Sequence, residues 1–544
     1  MSLMSGLYVG AGGLQTSQNA LNTTAHNLTN VETSGYTRQQ VYLNDKSYNN
    51  VGMASISKMQ TGIGVEYGKV RQVRDVFLDQ AYRREAGRSA FYEINYETTS
   101  ELETLLGEFD GVAFQEALGN FWTSVQELQK DPASAVTEGS FINTASQFIE
   151  RAQAVYNGLS SYQDNLNARI KTYVDRINEL GNTVKQLNDV IIKEEIGEQE
   201  ANDLRDARNA AIDELSSLAN ITYYTNADGG TEVMIEGTLF VARDRVFEMG
   251  TSFEKSSGFY TPIWPQNEDA PVFQINQEIS TDANTDIGQL KAILLARGDR
   301  RANYTDMEAD TYNKGEYHGQ KLQATSSSIV MNIQAELDSM VHDLVTSIND
   351  IITGEDGGKP RTYASKDDLP LEVFVRLGTS RYEENGAGYE YVEENSTDHS
   401  NVDTLYSIAN LKINPELLKS PTLMANGFLT EDKQVNQQMA DKIIDKFTNT
   451  FSSLNPNLAQ QYNYQDYYAA MVGQIATTGS VYSSVVEAQQ IATRQLDDSR
   501  QAIMGVSSNE ELSNMIKYQN AYNAASRYIN ACNEMLENML SQLT

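Results

Sequence analysis

The sequence predicts a multidomain α+β fold with paired terminal coiled-coil helices, an elongated helical-bundle domain and β-rich outer insertions. Three observations predict it. Apolar residues recur at every seventh position at both ends of the chain, a central stretch repeats them every three or four residues, and after residue 220 the pattern changes to one typical of strands. With 544 residues, 40% of them hydrophobic, the chain is long enough for several domains with buried cores.

Both termini are predicted to be amphipathic coiled-coil helices. The repeating positions are Leu7, Leu14, Leu21 and Leu28 at one end and Met515, Tyr522, Ile529, Leu536 and Leu543 at the other, with Tyr518 on the second line of the C-terminal stripe. Residues 1–31 contain no Asp, Glu, Lys or Arg, and the charges within 512–544 cancel. Because a monomer cannot easily bury two such stripes, we expect the ends to meet each other and then other subunits. They form the predicted terminal domain, 1–45 plus 505–544.

Helical spacing fills much of the remaining chain. Its clearest stretch is 159–191, where apolar side chains recur without a gap and indicate a rod of about 50 Å at roughly 1.5 Å per residue. Weaker helical patterns cover 73–106, 114–128, 204–218, 287–294, 329–348, 434–451, 464–475 and 481–496. We assign the helical-bundle domain to 46–220 plus 280–355 plus 405–504.

Two segments predict β structure outside the bundle. Residues 221–242 read as a β-hairpin, because two strand-like runs flank Asp228-Gly229-Gly230, and Asp-Gly suits the positive φ angles of a tight turn. Between residues 381 and 403, seven acidic residues stand against one arginine, which indicates a solvated surface segment. The β-rich outer insertions are therefore predicted over 221–279 and 356–404.

Composition argues against several classes of function. With 41 basic and 74 acidic residues the formal charge is -33, which repels nucleic acid and anionic membranes, so neither is an expected partner. We find no hydrolase, nucleotide-binding or zinc-protease motif, and the four histidines lack metal-ligand spacing. We therefore expect no catalytic, cofactor-binding or metal-binding residues. Cys532 is expected to be a small core residue, and neither a signal peptide nor a membrane span is predicted.

Segments at both ends resemble those of the bacterial flagellar axial proteins, the family of rod, hook and hook-associated proteins. At the N-terminus they are Ala20-Leu21-Asn22, Asn27-Leu28-Thr29-Asn30 and Thr33-Ser34-Gly35-Tyr36-Thr37-Arg38-Gln39; at the C-terminus they are Glu511-Leu512, Met515-Ile516-Lys517-Tyr518-Gln519, Ala521-Tyr522 and Glu534-Met535-Leu536. In this signature Gly35 would supply the flexible or left-handed backbone that ends the interface helix, and Tyr36 and Arg38 would dock the chain as it changes direction. His26 and Glu32 depart from it, since asparagine is common at both positions.

Internal segments narrow the resemblance to the hook-associated members of this family. Residues 62–65, 74–80, 202–206, 213–215 and 413–415 are similar to their internal landmarks. Rod and hook proteins share the termini but are mainly β between them, whereas this chain combines the termini with long helices. The resemblance covers roughly 1–225 and 405–544.

The resemblance implies a structural protein, with no enzymatic activity, that joins the hook of the flagellum to its filament. It implies export through the type III channel without a cleaved signal peptide, after binding by an export chaperone, and a location on the flagellum outside the cell. There the chain would assemble as a homo-oligomeric ring at the hook tip, between the hook protein and the second hook-filament junction protein. The stripe residues, together with Gly35, Tyr36 and Arg38, would form the assembly interface.

Two alternative functions stay open at this point. In the first, the protein is a surface adhesin or binding module, and the segment 381–403, rich in acids and tyrosines, contacts host or matrix ligands. In the second, an enzyme is carried on a flagellar axial scaffold, although residues 226–404 show no nucleophile or metal motif.

Overall fold

The computed structural model describes residues 3–33, 35–46, 49–54, 57–106, 114–197, 199–354, 362–366, 369–386, 388–395, 402–428 and 437–543. Long helices dominate these residues, and small antiparallel sheets lie between them in the sequence, which agrees with the predicted α+β class. Within the described residues, no helix combines the length and the apolar character that crossing a membrane requires.

The helices are long at both ends of the chain and in its first third. In chain order they are α1 Leu3–Thr29, α2 Val76–Leu106, α3 Phe114–Lys130, α4 Ala135–Glu194, α5 Asn202–Leu218, α6 Gln289–Arg297, α7 Ala309–Lys314, α8 Ile329–Ile352, α9 Pro415–Lys419, α10 Gln437–Thr448, α11 Tyr464–Met504 and α12 Ser508–Leu543.

The strands are short, and within the described residues all of their pairings are antiparallel. In chain order they are β1 Gln39–Asp45, β2 Asn49–Ala54, β3 Ser57–Thr61, β4 Val65–Gln72, β5 Ile221–Thr225, β6 Thr231–Ile235, β7 Thr238–Val241, β8 Gly250–Glu254, β9 Phe259–Trp264, β10 Ala270–Pro271, β11 Glu316–Tyr317, β12 Gln320–Lys321, β13 Thr362–Tyr363, β14 Phe374–Arg376, β15 Tyr382–Asn385, β16 Gly388–Tyr391 and β17 Leu411–Ile413. Their order within the sheets is β1-β4, β2-β3, β5-β6-β7, β8-β9-β10, β11-β12, β13-β16-β15 and β14-β17.

Helix α4 is longer than its sequence pattern predicted. It has 60 residues, about 90 Å at roughly 1.5 Å per residue, whereas the expected rod began only at Leu159. Its first half carries its own buried stripe, which includes Phe141, Phe148 and Ala152. Small residues such as Ala145 and Ala152 also belong to this stripe, so large apolar residues mark it less clearly than they mark the second half of the helix.

The described chain groups into two compact units. Unit 1 comprises Met1–Ser89, Arg176–Glu248 and Ala488–Thr544, and unit 2 comprises Ala90–Asp175 and Met249–Glu487. The division into a terminal domain, a bundle domain and outer insertions stays a prediction.

In unit 1, the sheet β5-β6-β7 packs on the second half of α4. Asn188 of α4 donates to the carbonyl of Thr231 at 2.7 Å and accepts from its N–H at 3.0 Å. Gly181 leaves room for the ring of Phe240, because a side chain at position 181 would overlap it. The predicted Asp-Gly turn is present, and of its two residues only Gly229 has a positive φ, 87°. The sheet thus shares a buried surface with α4.

In unit 2, helix α8 lies at the centre of the core. Its buried residues face several directions around the helix, including Ile333, Leu337 and Val341, as expected for a helix covered on all sides. Asn349 ties α8 to β14, since its side chain accepts from the N–H groups of Val373 and Phe374, each at 3.0 Å.

The acidic segment 381–403 is only partly the solvated surface that its composition predicted. Strand β15 is mostly exposed and β16 is mostly half-buried, but Arg381 just before them is 4% exposed and bonds Asp350 at 2.7 Å. After them, Glu394 accepts from the Tyr304 hydroxyl at 2.9 Å and from the Tyr406 N–H at 2.7 Å. The prediction was wrong for these two positions, because a count of charges does not reveal which of them are paired inside the protein.

Candidate assembly site at the paired chain termini

The two terminal helices pack against each other as an antiparallel pair within unit 1. A Cβ atom built at Gly10 would lie 2.7 Å from Cγ1 of Ile529, and one at Gly13 would lie 3.7 Å from Cβ of Ala525. Nearer the chain start, a Cβ at Gly6 would lie 3.3 Å from Sγ of Cys532. Glycines in α1 therefore allow α12 to approach closely. The sequence-based expectation that the ends meet agrees with this geometry.

The predicted stripe residues lie at the pair, but on α1 they are not its most buried line. On α12, Met515, Tyr518, Tyr522, Ile529 and Leu536 are half-buried, and the side chain of Leu543 lies outside the described residues. On α1, Leu7, Leu14, Leu21 and Leu28 are also half-buried, whereas the buried positions are Gly6, Gly10, Thr16, Ser17, Ala20, Thr24 and Asn27. The leucine heptads predict the neighbouring face of α1 as the contact face. The small residues that form the buried line contribute little to a hydrophobic pattern.

Apolar side chains remain uncovered beside this seam. Met535 and Met539 are 54% and 52% exposed, Leu540 is 63% exposed, and Tyr8 on α1 is 68% exposed. Helix α12 thus packs on α1 with one face and presents further apolar area to its surroundings.

At the far end of the pair, the chain leaves α1 through a turn at Gly35. Gly35 has a φ of 78°, which a residue with a side chain adopts only with strain. Tyr36 then donates to the side-chain oxygen of Asn27 at 2.8 Å, and Asn27 also bonds both backbone groups of Gln39. The amide of Asn27 therefore closes the turn from inside.

Arg38 fastens this turn to the end of α11 and to the start of α12. Its backbone N–H donates to the carbonyl of Met504 at 2.8 Å, and its Nε lies 2.9 Å from Oε1 of Glu511. The side chain of Glu511 is 3% exposed, and its other oxygen accepts from Asn27 at 3.2 Å. The docking role that the resemblance implied for Tyr36 and Arg38 agrees with these contacts; an assembly role for the stripe residues stays a prediction.

Asp206 of α5 holds the turn from the other side. It accepts from the N–H and the hydroxyl of Thr37 at 3.0 and 2.6 Å, and from Gln72 at 2.7 Å. Burial raises the pKa of Asp206 to about 6, although the hydrogen bonds from Thr37 act in the opposite direction. Burial, together with the nearby Asp203, Asp206 and Glu511, raises the pKa of Tyr36 well above its usual range, so its hydroxyl stays a donor.

Arg500 of α11 extends the network to α2 and α5. It pairs with Asp79 at 3.0 Å and with Asp213 at 2.9 Å, and its guanidinium lies 4.2 Å from the ring centroid of Tyr82. Sequence reasoning assigned no role to Arg500 or to Asp206. Asp206 lies in the quoted landmark 202–206, and that landmark is the signal that could have found it.

His26, which departs from the signature quoted in the sequence analysis, also faces α5. Its Nε2 lies 3.4 Å from Oδ1 of Asp203, which also accepts from Gln39 at 2.9 Å. Among the described residues, no group of three or more His, Cys, Asp and Glu side chains could hold a metal ion. The arrangement is that of a structural anchor between the terminal pair and the rest of unit 1.

Three family descriptions match successive parts of the chain. The flagellar hook-associated protein FlgK helical domain matches residues 99–355. The flagella basal body rod protein matches 7–37, and the flagellar basal body rod FlgEFG protein C-terminal region matches 501–543. The two shorter matches contain all of α12 and most of α1.

Relatives extend over nearly the whole chain. Flagellar hook-associated protein 1 of Bacillus subtilis is 24% identical over 550 residues, covering 99% of this chain and 98% of that relative. The protein of the same name from Salmonella typhimurium is 22% identical over 571 residues, covering 97% and 98%. The flagellar hook junction protein FlgK from Burkholderia pseudomallei has a similar fold, with a TM-score of 0.53 at 12% identity over 79% of this chain and 100% of that one. Over nearly its whole length the chain is therefore similar to flagellar hook-associated protein 1, and the family descriptions that it matches are all those of flagellar structural proteins.

Proposed function

We propose that this chain is a structural subunit that joins the flagellar hook to the filament by forming a homo-oligomeric ring at the hook tip. Its proposed partners are its own copies at the sides, the hook protein below and the second hook-filament junction protein above. An export chaperone binds the chain before its export through the type III channel, and this export does not involve cleavage of a signal peptide. One observation carries the proposal: both chain ends fold into one helix pair that still presents apolar side chains.

The distribution of charge supports contact through this pair. Residues 1–31 have no acidic or basic side chains, and in 512–544 two basic and two acidic residues cancel, so the whole formal charge of -33 belongs to 32–511. Copies of so acidic a chain repel one another wherever their charged parts approach. Apart from Glu510 and Glu511 in the first turn of α12, the terminal pair has no net charge, and there apolar contact between copies meets the least electrostatic opposition.

The anchor around Gly35 supports the mechanical part of the proposal. A subunit between two tubes has to transmit force from its terminal helices to its other residues. Asn27 and Arg38 connect the turn to α12 through Glu511, and Asp206 connects it to α5 through Thr37. The combined loss of these bonds is required before the terminal pair separates from the rest of unit 1.

Met535→Asp tests the proposal at a position that the fold leaves exposed. We expect the variant to fold and to be secreted but not to support a filament, because a carboxylate without a partner in a buried contact costs roughly several kcal/mol in each subunit. Leu21→Asp and Leu536→Asp, at half-buried stripe positions, are expected to give the same loss. The measurements are swimming in soft agar and the amount of filament monomer released into the medium.

Asn533→Asp is the matched control, since Asn533 is an exposed polar residue two positions away on α12. It adds the same charge outside the apolar area and should leave swimming intact. Normal swimming by Met535→Asp together with both leucine variants would contradict an assembly role for the terminal pair.

A further inference from the structure

Glu336 is an acidic side chain enclosed in the core of unit 2. It lies in the middle of α8 and is 0% exposed. Carboxylates are seldom buried to this degree unless a cation or several donors compensate their charge. The surroundings of Glu336 therefore decide which protonation state the fold accepts.

The donors around Glu336 are few and neutral. Asn332 and Gln474 both donate to Oε1, at 2.9 and 3.2 Å. Gln474 belongs to α11, so the carboxyl group bridges α8 and α11. In the part of the chain that the structure describes, Oε2 has no hydrogen-bond partner, and the side chain has no ion pair with Lys, Arg or His.

The titratable groups that face Glu336 are also uncharged at neutral pH. They are Tyr312 on α7 and Tyr467 on α11, both buried, and burial and the proximity of Glu336 raise the pKa of each. Burial raises the pKa of Glu336 to about 8, against which the two amide donors act only in part. An ionised carboxylate here would lose its hydration and gain no positive charge in return.

We propose that Glu336 is protonated in the folded protein at neutral pH, and that its ionisation is an alkaline-sensitive switch that loosens the packing of α8 against α11. In the unfolded chain the group ionises near its ordinary value of 4.5. Between that value and about 8, the folded state holds a proton that the unfolded state has released. The free energy of unfolding of unit 2 therefore falls as the pH rises through this window and levels off above it.

A second buried acid, Asp338, also lowers the free energy of unfolding as the pH rises, but over a lower pH range. Burial raises the pKa of Asp338 to about 6, so its contribution is complete near that pH. Measurements at pH 6.5 and pH 9 thus isolate Glu336 from Asp338. Both tryptophans, Trp122 and Trp264, belong to unit 2, so tryptophan fluorescence of the full chain follows the unfolding of this unit.

The test compares urea unfolding of the native chain and of Glu336→Gln at these two pH values. The glutamine amide has nearly the shape of a protonated carboxyl group and cannot ionise. We expect the urea midpoint of the native chain to fall between pH 6.5 and pH 9 and that of Glu336→Gln to stay level, so that the variant is the more stable protein at pH 9. Glu308→Gln, at an exposed position in unit 2, should keep the native fall.

The proposal would be overturned if the urea midpoints of the native chain and of Glu336→Gln fell by the same amount between pH 6.5 and pH 9. If Glu336→Gln does not fold, infrared spectroscopy of the native chain decides. A carbonyl band of a protonated carboxyl group that is present at pH 7 and disappears by pH 9 supports the switch, and its absence at pH 7 overturns it.

Discussion

Two adjacent glutamates at the start of α12 differ sharply in their environment although both lie near Arg38. The side chain of Glu511 is 3% exposed and lies 2.9 Å from the guanidinium, while that of Glu510 is 63% exposed at 3.4 Å. Glu511 also accepts from Asn27, so one carboxylate serves the turn and the helix pair together. Proximity in sequence thus conceals two different energetic roles.

Glu511→Ala is expected to destabilise the terminal pair by about 2–4 kcal/mol, because it leaves the buried amide of Asn27 and the half-buried Arg38 without their shared partner. Glu510→Ala should change the stability by at most about 0.5 kcal/mol, as for other exposed ion pairs. The measurement is the rate at which a protease removes the chain ends from each variant. Equal rates for the two variants would show that burial of Glu511 contributes nothing to holding the pair.

At the scale of single elements, periodicity predicts helices well where large apolar residues mark one face. The stretches that became α2, α3, α5 and α8 were all recognised in this way, and the β-hairpin was recognised from its Asp-Gly turn. Periodicity does not predict the first half of α4, because its buried stripe includes alanines. It does not predict the buried line of α1 for a related reason, since Gly6 and Gly10 allow close approach of α12 but add little apolar area.

The anchor could be predicted only as far as the family signature extends. Tyr36 and Arg38 were singled out because they belong to that signature, while Arg500 belongs to no pattern in the sequence. Its importance comes from two carboxylates, Asp79 and Asp213, that the fold brings together from distant parts of the chain. Contacts of this kind depend on tertiary structure and leave no local spacing to detect.

The hairpin of β15 and β16 can be shortened, but not by the whole acidic segment. We expect replacement of 383–391 by a short Gly-Ser linker to leave the protein folded and the cells motile, because none of the described residues in this range is buried. Removal of 381–403 would also take away Arg381 and Glu394, whose bonds hold α8 and its neighbouring loops. Thermal unfolding and swimming are the measurements.

Glu394→Ala provides the comparison for this shortening. It removes the acceptor of Tyr304, His342 and the Tyr406 N–H, and should destabilise unit 2 by about 1–3 kcal/mol. A stable, fully motile strain lacking 381–403 would contradict the anchoring roles of Arg381 and Glu394. A non-motile strain with the folded 383–391 replacement would place the hairpin at a contact with another protein.

For the whole molecule, the terminal pair is expected to be its least stable part before assembly. Most residues of α12 are exposed, and α1 is its principal neighbour. A segment with few buried contacts opens at a lower free energy than a core does. Limited proteolysis of the purified monomer should therefore remove residues within 1–45 and 505–544 before it cuts elsewhere. Termini that resist cleavage in a verified monomer would contradict this expectation.

The one sulfhydryl of the protein lies at this opening point and gives it a built-in chemical reporter. Cys532 is buried, and its sulfur lies against Gly6 of the opposite helix. A thiol reagent can reach it only when the two helices separate, so the labelling rate measures how often the pair opens. No cysteine has to be introduced, and none has to be removed. In a mixed sample, the labelled molecules would be those in which the helix pair had opened, and the unlabelled molecules those in which it had stayed closed.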